Sequence, residues 1–132
     1  MEYKDLISKA LEAREKAYVP YSNFKVGAAI LVEDGTIYSG CNIENASFGA
    51  TNCAERTAIF KAVSEGYESI KAIAIVGDTS TYTYPCGICR QVISEFADGT
   101  IPVILAKNNE DFIVKTLDDV LPGAFTKKDL NK

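Results

Sequence analysis

"IKAIAIVGDTSTYTYPCGICRQVISEFADGTIPVILA", residues 70–106, decides the fold. It opens on a continuous apolar run over 70–77, the mark of a strand covered on both faces. The polar stretch 78–85 is a loop. A helix follows over 86–97 and is stopped by the Asp-Gly pair at 98–99. A second apolar strand occupies 101–106. Two buried strands joined through a helix are parallel neighbours, because a parallel pair needs a crossover of this length.

Working towards the N-terminus, residues 53–65 read as a helix with Ala58, Ile59, Ala62 and Val63 as its core face, and Gly66 as its stop. "FKVGAAILV" (24–32) and "TIYSGCNI" (36–43) flank a tight "EDG" turn and form an antiparallel hairpin. Residues 42–52 are small and polar, a loop. Residues 2–18 carry Leu6, Ala10, Ala13 and Ala17 at helical spacing, with Ile7 and Leu11 widening the stripe, and Pro20 blocks continuation. Beyond residue 106, "KNNED" (107–111) is too short to join anything but antiparallel neighbours, so "FIVKT" (112–116) is a fifth strand. "LDDVL" adds a helical turn, and a tail containing Phe125 follows. The expected architecture is one domain over 1–132: α/β, three layers α/β/α, with a mixed five-stranded sheet. Both middle helices precede parallel strands, so they run the same way and bring their N-termini to one end of the sheet.

A chain of 132 residues buries roughly two-thirds of its unfolded surface, enough for a core without staples. The net charge of -4 and a pI near 4.8 argue against a nucleic-acid surface, which is basic on at least one face. The charged N-terminal stretch has no apolar targeting core, and no apolar run is long enough to span a bilayer. A cytoplasmic location without membrane contact is the expectation. In that setting Cys41, Cys53, Cys86 and Cys89 are candidates for metal or redox chemistry rather than disulfides.

"PCGIC" (85–89) alone fits a redox dithiol, half a zinc site or an iron–sulfur pair. The position of Cys53 at the other helix head adds a third thiol. Three protein ligands with one open position is the plan of a catalytic zinc centre, whereas a structural centre closes all four. Cys41 could close the tetrahedron and make the chain a structural zinc module; a lone cysteine otherwise packs as a small hydrophobe. Zn²⁺ with three thiolates sums to a net negative charge, which opposes activation of water. The two positive helix ends and hydrogen bonds from Arg56 offset it. Glu55 sits next to a ligand on a stiff helix start, where it is placed to carry a proton between water at the metal and a substrate nitrogen. A first-turn acid commonly serves the helix dipole alone; the neighbouring cysteines make the proton-carrying role the stronger reading.

C-x-E at 53–55 followed by P-C-x-x-C at 85–89 resembles the zinc-dependent cytidine deaminases, in the form with three cysteine ligands. "YVPYSNFKVGAAI", "GCNIENASF", "NCAERTAIFKAVSEG", "PCGICRQVISEF" and "LPGAF" are similar to segments of the small homotetrameric enzymes that act on free nucleosides. The resemblance implies that Cys53, Cys86 and Cys89 hold Zn²⁺ and that Glu55 is the proton shuttle. Hydroxide adds at C4 of the ring, Glu55 protonates N3, and ammonia leaves. It implies that Asn42 and Glu44 hold the ribose hydroxyls, that Phe24 packs on the pyrimidine, and that the Ala54 backbone meets the base edge. Arg56 matches the residue that offsets thiolate charge, and Phe125 one that reaches a neighbouring subunit's pocket. The antiparallel fifth strand resembles the free-nucleoside branch. Phe48 stands where several members carry tyrosine.

The plainer readings differ by residue. Asn42 and Glu44 taken alone are ordinary loop polars. Phe24 opens an apolar strand and divides evenly between pocket and core. Tyr82 and Tyr84 carry no assignment. The expected activity is deamination of cytidine and 2′-deoxycytidine. A cytosine-containing antibiotic is the rival substrate, against which the ribose-facing "NIEN" speaks. A redox dithiol leaves Cys53 and Glu55 unexplained.

Overall fold

The computed structural model describes residues 3–78, 80–85 and 87–120, with the side chain of Phe48 excepted. Helix α1 (Tyr3–Arg14) precedes a hairpin of β1 (Gly27–Val32) and β2 (Ile37–Cys41). Helix α2 (Ala54–Ser64), strand β3 (Ile70–Val76), helix α3 (Gly87–Phe96) and strand β4 (Pro102–Ala106) follow. Strand β5 (Phe112–Thr116) and a short α4 (Leu117–Val120) close the described chain. The sheet order is β2-β1-β3-β4-β5. Only β3 and β4 pair in parallel; β1 pairs antiparallel with both β2 and β3, and β5 with β4. The mixed sheet and the antiparallel fifth strand are those expected from the sequence.

The central strands bury both faces, as their unbroken apolar runs require. Ile73, Ile75, Val103 and Leu105 pack with Ala58, Ile59 and Ile93 beneath α2 and α3. Their strand neighbours Ala72, Ala74, Val76, Ile104 and Ala106 pack with Leu6, Ile7 and Ala10 of α1. Branched residues thus fill the two-helix side, while a mainly alanine surface lets the single helix lie close.

Helix α2 ends as Gly66 predicts. Its φ of +99° is open to glycine and strained for other residues. Gly66 N–H donates to Val63 O and Tyr67 N–H to Ala62 O, both at 3.0 Å, the paired bonds of a Schellman stop.

Two boundaries differ from the sequence reading by three residues or more. The first helix ends at Arg14 and not at 18, because Tyr18 pairs instead with the segment after β2: its N–H donates to Asn42 O at 3.0 Å, and its carbonyl accepts from Glu44 N–H at 2.8 Å. Strand β1 starts at Gly27 and not at 24, because the Asn42 side chain bonds the backbone at Phe24 and Val26. Among the described residues, no helix is long and apolar enough to cross a membrane.

Candidate metal centre and substrate cleft

Both α2 and α3 lead into the parallel pair, so their first turns meet at the carboxyl edge of β3 and β4. Cys53 caps α2 in extended backbone, φ -77° and ψ 156°, and makes no side-chain capping bond. It is half-buried, while Cys89, one turn into α3, is fully buried. The Arg56 guanidinium joins them. Nη2 lies 3.5 Å from Cys53 Sγ and 3.4 Å from Thr51 O. Hydrogen bonds to Cys53 and to Cys89 hold Arg56 protonated, its pKa above the ordinary arginine value. Arg56 Nε is buried and has no hydrogen-bond partner among the described residues. Thiols from two helices on one cation make a donor set suited to a thiophilic divalent ion such as zinc. Cys86 lies outside the described residues.

Glu55 is one of the few buried polar side chains, 4 % exposed. Burial pushes its carboxyl up to about 7, and negative charge at Cys53 adds to the rise. A backbone N–H, a hydrogen bond with Cys89 and the charge of Arg56 act in the opposite direction. A buried carboxyl touching the thiol set is in a position to exchange protons there. A solvent-facing acid serving the helix dipole would be exposed. Ala54, next to Glu55, is fully buried.

Asn42 and Glu44 are both committed to backbone. Asn42 donates from Nδ2 to Phe24 O at 2.8 Å and accepts at Oδ1 from Val26 N–H at 2.9 Å. One N–H and one lone pair of the amide are left by these two bonds. The Glu44 carboxylate accepts from the Tyr21 and Ser22 N–H groups, each at 3.1 Å, and from the Ser22 hydroxyl. These bonds, the Ser22 hydroxyl foremost, hold its pKa below the ordinary carboxylate value. Tyr21, Ser22, Glu44, Asn45 and Thr51 line an open cleft of about 390 Å³.

Phe24 is 41 % exposed, so it does not belong to the core. A Cβ on Gly77, at the end of β3, would collide with Thr83 Oγ1 and come within 3.0 Å of Phe24 Cζ. Glycine is needed there for close approach. Phe125 lies outside the described residues.

Cys41 stands apart. Gly40 faces α2, so a Cβ there would lie 2.7 Å from the Ala58 nitrogen, and the next residue of the strand points to the other face. Cys41 lines a separate cleft of about 220 Å³ with Lys9, Lys16 and Lys61 among its walls.

Residue-by-residue reading missed the polar links that seat α2. The Asn52 backbone pairs with Ile43 in both directions at 2.9 Å. Its side chain donates to Thr57 Oγ1, and that hydroxyl reaches Cys41 O, each at 3.0 Å. Arg90 was also unread: it donates to Pro85 O and Val120 O, both at 2.7 Å, tying the head of α3 to the end of α4. Their only advance signal was a polar residue, Thr57 or Arg90, in the first half of each helix.

A three-layer α/β/α domain that gathers thiols from two helix heads around a buried carboxyl defines a class of thiolate metal-centre proteins with acid–base capacity. A family model described as the cytidine and deoxycytidylate deaminase zinc-binding region matches residues 1–105. The cytidine deaminase of Sporosarcina psychrophila is 57% identical over 131 residues, 99% of this chain and 96% of that protein. That of Halalkalibacterium halodurans is 53% identical over 131 residues, 99% of each chain. The crystal structure of cytidine deaminase from Burkholderia pseudomallei superposes with a TM-score of 0.88 at 52% identity, covering 95% of this chain and 100% of that one. The chain belongs to the zinc-binding cytidine and deoxycytidylate deaminase family.

Proposed function

We propose that this chain catalyses the hydrolytic deamination of cytidine and 2′-deoxycytidine: nucleoside plus water gives the uracil nucleoside plus ammonia, a reaction of pyrimidine salvage. The observation that carries the reading is the buried Glu55 carboxyl beside thiols from two helices. Cys53, Cys86 and Cys89 hold zinc, a fit supported by the shared Arg56 contact of Cys53 and Cys89. When bound, zinc would supply Lewis acidity and lower the pKa of a coordinated water to about 7 in favourable sites.

The protein's own groups do the rest. Glu55 takes a proton from the attacking water and delivers it to N3 of the ring as the bond to C4 forms. It then takes the proton of the new C4 hydroxyl and passes it to the amine, which leaves as ammonia as the C4 carbonyl forms. Arg56 keeps the anionic thiolates from opposing that transfer. Phe24 lies against the pyrimidine, and the Ala54 backbone meets its edge. Glu44 and the remaining capacity of the Asn42 amide bind the ribose hydroxyls. One domain carries this chemistry. It works as a homotetramer in which Phe125 of a neighbouring copy completes the cleft. Its thiolate ligands suit a reducing cytoplasm.

Loss of the cytosine absorbance band on incubation with cytidine tests the reading, with metal analysis alongside. Glu55→Gln lowers kcat by about 10²–10⁴-fold while keeping its zinc. Full activity in that variant, or turnover unaffected by metal removal, overturns it.

A further inference from the structure

Tyr82 lies midway along the loop between β3 and α3, and its contacts close a circuit with the β4–β5 turn. Its hydroxyl donates to Asp111 Oδ1 at 2.6 Å. Lys107 Nζ sits 4.7 Å from the centre of its ring and 3.7 Å from Asp111 Oδ2. A cation over the ring face and a carboxylate on the hydroxyl engage both ends of one side chain. The ring itself packs on the core beneath α2 and α3.

The next residue is Thr83, whose hydroxyl fills the space beside Gly77 that also meets Phe24 Cζ. The loop's far end is fixed separately, because Arg90 holds Pro85 O at 2.7 Å. Glu55, Cys53 and Cys89 stand on α2, its cap and α3, outside this circuit. Loosening Tyr82 therefore releases the wall behind Phe24 before it disturbs the metal centre.

We propose that Tyr82, clamped by Asp111 and Lys107, is a positioning residue for substrate binding: it holds Thr83 against Gly77 and so sets the placement of Phe24. This rests on the reading of Phe24 as the residue that packs on the pyrimidine.

Steady-state kinetics with cytidine, zinc content and melting temperature, measured on wild type, Tyr82→Phe, Asp111→Ala and Asp111→Asn, test it. Loss of one hydrogen bond raises KM about three- to tenfold in Tyr82→Phe and Asp111→Ala. The same two variants keep full zinc and a kcat within about twofold of wild type, since the reacting groups are untouched. Asp111→Asn retains an acceptor for the hydroxyl and restores KM to within about twofold of wild type. A double variant combining Tyr82→Phe with Asp111→Ala has a KM no higher than the more impaired single variant, as coupled partners require. An unchanged KM in Tyr82→Phe overturns the proposal. So does a fall in kcat and zinc with KM intact, which moves the effect to the metal centre. Asp111→Asn behaving like Asp111→Ala also overturns it. A wild type that turns over no cytidine overturns the functional reading, and this inference with it.

Discussion

Asn42 holds Phe24 by its backbone carbonyl, Nδ2 to O at 2.8 Å, across a gap that the β1–β2 ladder leaves open. The same amide accepts from Val26 N–H at 2.9 Å, so one side chain replaces two rungs. A residue proposed to bind ribose therefore also fixes the backbone leading into β1, beside the aromatic proposed to stack on the ring. Asn42→Ala removes both partners at once. Unfolding should show a loss of about 1–3 kcal/mol, the cost of stranding partly buried backbone groups. The KM for cytidine should rise by more than kcat falls. Calorimetry and steady-state kinetics check both, and a variant as stable as wild type would mean that water replaces the amide fully.

Arg56 bridges Cys53 to the Thr51 carbonyl and also reaches Cys89. Nη2 meets both Thr51 O and Cys53 Sγ from a planar, rigid head, a placement that a lysine ammonium cannot reproduce. Arg56→Ala should lower kcat/KM by about 10- to 100-fold, the equivalent of a charge-assisted hydrogen bond. Arg56→Lys should recover only part of that, because it restores charge without the planar head that reaches both partners. Metal analysis on each variant separates weaker zinc binding from slower chemistry.

The sequence was most legible where periodicity is local. Strand β5 falls on residues 112–116 as the pattern predicts, and α2 differs from its expected span by one residue at each end. Converging helix heads followed from topology alone, which made Cys53, Glu55 and Cys89 readable together. The errors arose where a side chain far along the chain competes with the ladder. Tyr18 leaves its helical pattern to pair beside Ile43, and Asn42 takes over the first rungs of β1. No local propensity encodes a bond between residues so far apart. The exposure of Phe24 was undecidable for the same reason: it depends on Gly77 and Thr83, two segments away.

Glu44 gives a pH signature. Its folded pKa lies below the ordinary carboxylate value, chiefly through the Ser22 hydroxyl. A depressed carboxyl stabilises the fold fully above its unfolded pKa, and that stabilisation is lost as pH falls through the folded value. Wild type should thus exceed Glu44→Gln in stability near neutral pH, with the gap narrowing below about pH 4.3, the ordinary glutamate value. Urea titrations at a series of pH values measure the gap directly. A gap that widens on acidification would contradict the assignment.

The two cysteines that flank the β2–α2 connection, Cys41 and Cys53, make opposite predictions. Cys53 shares Arg56 with Cys89, whereas Cys41 lines a different cleft among lysines. Cys53→Ala should lose bound zinc and activity together. Cys41→Ala should keep its zinc and retain activity within about twofold, since a small thiol-to-methyl change removes little packing. Treating wild type with a chelator should abolish turnover, and added zinc should restore it. Removing the ion also removes the stabilisation that a ligand of the folded state provides, so the melting temperature should drop and then return with zinc. Cys41→Ala should show the same zinc-dependent melting shift as wild type. If it sheds its metal instead, Cys41 is a ligand and the centre is closed, which would leave no open position for water and turn the chain from a catalyst into a structural zinc module.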